Sequence, residues 1–201
     1  MNPILGDDDA GIYSQGNLYL RTSTTHANER GTFGVTSGKW YWEVVLITAD
    51  AAKHNLGICD TDAPIAGWGA AFNRSVYSND GNKYIGSSAT SYTDAYEVVG
   101  NILMFALDMD NGKWWFGKNG TWAESGDPAN GTSATHDDLL TAATDSSPNN
   151  SWSPCIDDGS NSGVNDVVFN FGQDSSFAGT KTAQGNQDGN DIGDFYYTPP
   201  T

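Results

Sequence analysis

The chain has only four glutamates, Glu29, Glu43, Glu97 and Glu124, and each stands alone. Glycoside hydrolysis needs two carboxylates across a cleft, one to protonate the leaving oxygen and one to act as nucleophile or base. No Glu-x-Asp-x-Glu run or similar pair occurs, and Asp108 and Asp110 fall where a tight turn already accounts for them. A nucleophilic serine on an elbow would need Gly-x-Ser-x-Gly, which is absent. His26, His54 and His136 read as surface histidines of three separate loops, without the i, i+4 spacing or cysteine pairs of a zinc site. Asp7-Asp8-Asp9, Asp157-Asp158 and Asp188-Gly189-Asn190-Asp191 could offer oxygens to calcium, yet none forms the twelve-residue loop closed by a glutamate. No catalytic residue, metal ligand or cofactor is assigned, and the chain is expected not to be an enzyme.

What the residues offer instead is aromatic surface. Of seven tryptophans, Trp68, Trp122 and Trp152 flank loops, where an indole either pins a loop root or anchors a partner by stacking. Trp115 has the opposite strand parity to Trp114, so it is either covered by a neighbouring loop or exposed.

These side chains must be held by strands. Ile102 to Asp108 is apolar, breaks at Asp110-Asn111-Gly112, and returns as the aromatic run Lys113 to Lys118 before a second turn at Asn119-Gly120. That pattern predicts a hairpin with Trp114 and Phe116 on one face. In Lys39 to Ile47, Trp40, Trp42, Val44 and Leu46 alternate with Tyr41, Glu43, Val45 and Ile47, so both faces are apolar and the strand is central. Glu43 then needs a donor, from a backbone amide, Lys or Arg. Further strands are expected within residues 10–22 and at 32–35, 56–59, 75–77, 83–86, 96–99, 152–156 and 167–171, with residues 87–95 as a turn. Residues 123–151 lack apolar periodicity and read as a long loop, a length that in a compact domain marks function or mobility.

The order of these pieces resembles a known family. Leu107-Asp108, the Asp-Asn-Gly turn and Phe116 before Lys118-Asn119-Gly120 are similar to the signature hairpin of SPRY (B30.2-type) domains. Ser37 to Val44 resembles the first core strand of that family, Leu56-Gly57-Ile58-Cys59 the next, and Val167 to Gly172 the closing one. The resemblance spans residues 31–177 and implies an all-β fold, an antiparallel sandwich of the SPRY, concanavalin A-like jelly-roll kind. It also implies that Trp40, Trp42 and Trp114 are core residues and that a strand from residues 10–22 lies at the sandwich edge against the closing one. The run Asn119-Gly120-Thr121-Trp122 through Ser125-Gly126-Asp127-Pro128, with Tyr197-Thr198-Pro199-Pro200, looks like the subgroup found in bacteriophage structural proteins.

Composition fits and adds limits. Twenty-four glycines, 12% aromatic and 17% charged residues suit many short strands joined by tight turns. A formal charge of −16 with nine basic residues excludes a nucleic-acid footprint, and no apolar run approaches membrane-spanning length. Cys59 and Cys155 read as buried thiols in a reducing compartment, with pairing left open. The N-terminal run MNPILGDDDA shows no secretory signal, which implies synthesis in a host cytoplasm and, for a phage protein, residence in the virion.

Residues 1–9 are expected to be a flexible or partner-docked arm, 10–177 the sandwich and 178–201 an extension packing on the domain or leaving it. The resemblance implies that recognition lies in loops at one end of the sandwich, here residues 60–82, 87–95, 123–151 and 157–166. The candidate contact residues are Trp68, Phe72, Tyr92, Trp115, Trp122, Asn130, Thr132, Trp152, Asp157 and Asp158. The partners so implied are other virion proteins or a host surface glycan or receptor, in a homo-oligomeric or multi-copy assembly. The other reading is a cellular SPRY adaptor that grips a peptide or protein.

Overall fold

The computed structural model describes residues 1, 11–22, 28–48, 53–62, 73–141, 150–158 and 164–201. Two antiparallel sheets face each other. One contains β1 (Gly11–Ser14), β2 (Tyr19–Thr22), β13 (Asn165–Asn170), β4 (Lys39–Leu46), β9 (Ile102–Asp108), β10 (Lys113–Lys118) and β11 (Thr121–Trp122), hydrogen-bonded in that order. The other runs β3 (Asn28–Arg30), β12 (Trp152–Asp158), β5 (His54–Asp60), β6 (Asn73–Tyr77), β7 (Lys83–Ile85) and β8 (Ser88–Thr90). This is the expected antiparallel sandwich, with β2 against the closing β13. Among the described residues no helix is long and apolar enough to cross a membrane.

The β9–β10 hairpin forms as its residues dictate. Lys113 pairs with Asp108 and Lys118 with Leu103, and the Asp108 carboxylate caps the turn by accepting from the Asn111 amide at 3.0 Å. Asn119 and Gly120 both take positive φ, 50° and 83°, as a two-residue turn that matches strand twist requires. Trp114 and Phe116 face inward. Phe105 lies between them and Trp42, stacked on Trp42 at 5.2 Å and 6.0 Å from Trp114. Such pairs contribute about 0.5–1.5 kcal/mol each beyond the area they bury.

Several expectations need correcting. Trp40 shares parity with Trp42 but is 46% exposed, standing at the second residue of β4 on the rim of an open cleft. His54 and His136 are buried rather than superficial: His54 opens β5, and His136 stacks on Trp114 at 5.6 Å. Burial, with Arg74 and Lys83 nearby, pushes the His136 imidazole down to about 3. His26 lies outside the described residues. Residues 87–95 include β8, whereas 96–99 carry no strand; Tyr96 is held in the core by its hydroxyl, which donates to Val76 O at 2.7 Å. Of residues 32–35 only Val35 pairs, in a bridge to Trp152.

Cys59 and Cys155 are free, buried thiols on neighbouring strands. A hydrogen bond to Cys59, reinforced by burial, raises the Cys155 thiol well above the usual range.

The outer face of the larger sheet is covered by the end of the chain. Glu43 points outward from β4 with no exposure and accepts from the amides of Tyr196 at 2.8 Å and Tyr197 at 2.7 Å, the Tyr41 hydroxyl at 2.9 Å and Asn170 Nδ2 at 3.2 Å. Backbone amides thus supply two of these four donors, as expected, and side chains other than Lys or Arg supply the other two. Burial raises its carboxyl above the ordinary value although all four donors pull it down. Beside it Val45, Ile102, Val168 and Phe177 form a second small core under Tyr196 and Tyr197.

Candidate functional site

Two clefts meet at Trp40. The first, about 530 Å³, lies on the outer face of the larger sheet. Its floor is the row Tyr41, Ala106 and Trp115, which face one another across β4, β9 and β10. Lys39 and Asp108 stand at one side, Pro128 at another, and Phe195, Pro199 and Pro200 of the chain end close the third. The second, about 520 Å³, opens at the end of the sandwich where β4 starts, lined by Phe33, Val35, Trp42, Leu107 and Phe171 with Pro154 from the opposite sheet. Trp40, Tyr41, Leu107 and Phe171 belong to both.

The aromatic rim between the clefts is built rather than loose. Trp40 Nε1 donates to Ser37 O at 2.8 Å, which fixes the indole against the preceding turn. Gly38, at φ 80°, lets that turn approach the hairpin, its amide donating to Asp110 Oδ1 at 2.8 Å and its carbonyl accepting from Met109. Phe33 packs edge-on to Phe171 at 5.4 Å and sits 6.5 Å from Trp40. Phe33 and Trp40 remain 38% and 46% exposed, so large rings face solvent with their positions already set.

Neither cleft lining contains a His, Cys or Glu. The two carboxylates of the first cleft act as turn caps, Asp108 to Asn111 and Asp188 to the amides of Asn190 and Ile192. Among the described residues no three His, Cys, Asp or Glu side chains converge as a metal site.

The residues singled out in the sequence do not form one patch. Trp68 and Phe72 lie outside the described residues. Trp115 is 1% exposed and reaches the floor of the first cleft, its Nε1 donating to Thr132 O at 2.8 Å. Thr132 and Gly126 lie against it, whereas Asn130 of the same segment is exposed and held by the Asp127 carboxylate. Trp122 is half-buried, edge-on to Tyr41 at 6.3 Å. Tyr92 is half-buried elsewhere, hydrogen-bonded to Thr135 and lying under the Lys83 ammonium. Trp152 flanks the loop as the first residue of β12, but it is a core residue at 1% exposure with Arg74 over its ring and presents no contact surface. Asp157 is buried in β12, and Asp158 closes that strand.

Nor do the four loops share an end. β5 ends at Asp60 opposite Trp152, whereas β12 ends at Asp158 opposite His54, so these two strands end at opposite ends of the sandwich. The long loop is also different from its expectation: residues 123–141 pack along β10, with Asp127 bridged to Thr132, Trp114 to His136, and the Thr135 hydroxyl accepting from the Phe116 amide at 2.9 Å. Residues 142–149 lie outside the described ones. Phe33, Lys39, Phe171 and Pro154 were not singled out in the sequence; the signal available was the Ser37-Gly38 turn, which places Trp40 at a strand start.

No family model and no curated protein matches the chain. Solved structures do. The crystal structure of the SPRY domain of human HERC1 superposes with a TM-score of 0.66 at 17% identity, covering 86% of this chain and 98% of that one. A second human SPRY domain superposes at 0.57 and 11% identity, over 82% of this chain and 95% of that one. The fold is that of SPRY domains. Likeness at this identity is a likeness of fold, and function lives in the sites a fold carries.

Proposed function

We propose that the chain is a non-enzymatic binding module whose partner docks at the clefts around Trp40. One observation carries the reading: a fixed indole, 46% exposed, stands between two concave surfaces on a rigid sandwich. Pre-set aromatic anchors are where binding energy concentrates, since little rotamer entropy remains to be lost. The apolar second cleft fits a bulky hydrophobic side chain, and the first fits the extended chain beside it. The strong negative charge of the protein favours a basic or neutral partner.

The finer reading places the module in a bacteriophage particle, contacting other virion proteins or a host surface glycan. Its support is the sequence resemblance of residues 119–128 and 197–200. A cellular SPRY adaptor gripping a peptide fits the same clefts.

Selection of binders from a random peptide library against the purified chain tests the cleft. Binders are expected to lose affinity at least tenfold for Trp40→Ala, with the melting temperature unchanged; undiminished affinity would place recognition elsewhere. Mass spectrometry of purified phage particles separates the finer readings. A fixed copy number per particle supports the virion role, and absence from particles supports the cellular adaptor.

A further inference from the structure

One buried carboxylate holds two sides of the first cleft together. Glu43 Oε1 accepts from the Tyr41 hydroxyl at 2.9 Å and the Tyr197 amide at 2.7 Å, while Oε2 accepts from the Tyr196 amide at 2.8 Å and Asn170 Nδ2 at 3.2 Å. Tyr41 belongs to the floor of the cleft, and Tyr196 and Tyr197 link Phe195 to Pro199 and Pro200, its third side. Floor and wall also touch directly, Phe195 standing edge-on to Tyr41 at 5.0 Å. Glu43 does not line the cleft, so its effect on an occupant runs through these neighbours.

Only an ionised carboxylate satisfies this set. Each oxygen receives two donors, and a carboxylate offers two acceptor positions per oxygen with no hydrogen of its own. A side-chain amide would turn one oxygen into an NH2 group. In either orientation that group would meet a main-chain N–H, of Tyr196 on one side or of Tyr197 on the other. A proton on the carboxylate likewise takes one of the four positions. Burial favours that proton, holding the carboxyl above the ordinary 4.5 against the pull of the four donors. The groups facing Glu43 are dipoles rather than cations. Its own strand presents the Tyr41 phenol, β13 presents Asn170 and β9 presents Met104. The wall brings the Tyr196 and Tyr197 phenols and the Asp194 carboxyl, whose residue's carbonyl accepts from the same Asn170 Nδ2 at 2.9 Å.

We propose that Glu43 is a positioning residue for binding at the first cleft. Ionised, it clamps the wall of residues 195–200 against the Tyr41 floor; without its charge, floor and wall part and an occupant is held less tightly. This rests on the reading of the clefts as the recognition site, and it adds the regulation of that site by one proton.

The test uses the full chain and library-selected peptide binders without His, Asp or Glu and with an amidated end, so that they do not titrate below pH 7. Binders of the first cleft are those displaced by Asn190→Trp, a bulky side chain at its exposed rim. Glu43→Gln is expected to weaken them about tenfold while the chain stays folded. Wild-type affinity is expected to fall about twofold or more from pH 7 to pH 4.5, because a carboxyl held above 4.5 is mostly protonated there. His136, held at about 3, does not titrate in that window, and Glu43→Gln should lack this fall. Binders that need Trp40 and are displaced by Asn190→Trp, yet bind Glu43→Gln as tightly as wild type, overturn the proposal and leave the cleft reading standing. Binders that need Trp40 but are never displaced by Asn190→Trp overturn it as well. Binders indifferent to Trp40→Ala overturn the cleft reading and this proposal with it. If Glu43→Gln does not fold, the wild-type profile decides, and a level affinity from pH 7 to pH 4.5 overturns the proposal.

Discussion

Glu43 and His136 are ionisable groups placed where water is not, and they respond to pH in opposite directions. Replacing Glu43 by Ala strands two amides, a phenol and a carboxamide, a loss expected to cost about 2–4 kcal/mol and to expose the Tyr196 and Tyr197 amides to hydrogen exchange. Because its folded carboxyl is held above the ordinary 4.5, the folded state takes up that proton more readily than the unfolded chain, so this group favours folding as pH falls. His136 does the reverse. Its imidazole is held down to about 3 against 6.5, so its contribution is complete above 6.5 and is lost progressively as pH falls toward 3. At pH 5 the loss from this one site is about 2 kcal/mol. Thermal melts at pH 7 and pH 5 should therefore differ less for His136→Gln than for the wild type; equal differences would show that His136 does not titrate as its burial requires.

At the scale of elements, the β9–β10 hairpin is the centre of stability and the segment beside it is its cover. Trp114→Ala should cost about 3–5 kcal/mol, as truncation of a fully buried aromatic does, while Trp40→Ala should stay within about 0.5 kcal/mol of wild type. Denaturant titration of both variants checks the contrast. The hairpin was legible because period-two alternation and two turn signals lie within a few residues of each other. Residues 123–141 were not. They dock through a Trp115 indole on a carbonyl and a Thr135 hydroxyl under an amide, contacts that leave no apolar periodicity to read. The chain end was illegible for a related reason, since Glu43 grips main-chain amides that any sequence would supply. The clefts are half-legible: strand parity marks Trp115, but the family resemblance assigns Trp40 to the core, and alternation fixes which way a side chain points and not whether it is covered. Deleting residues 130–144, which read from sequence as part of a long loop, should lower the melting temperature by several degrees, because it removes the Thr132 carbonyl from Trp115 and the Thr135 cap on Phe116.

For the molecule as a whole, charge and topology act together. A net charge of −16 on 201 residues makes the folded state repel itself, so moderate salt should raise the melting temperature and slow association with a basic partner. A salt-independent association rate would mean that the partner meets a neutral face. The ends of the two sheets carry a further consequence. Among the described residues β1 has four, β11 two, and β3 and β8 three each, so each terminal strand as described is too short to template another chain's strand along its length. Crowding many copies together should accordingly yield a clear solution and no cross-β fibre, leaving docked surfaces, and not borrowed strands, as the means by which these molecules can join.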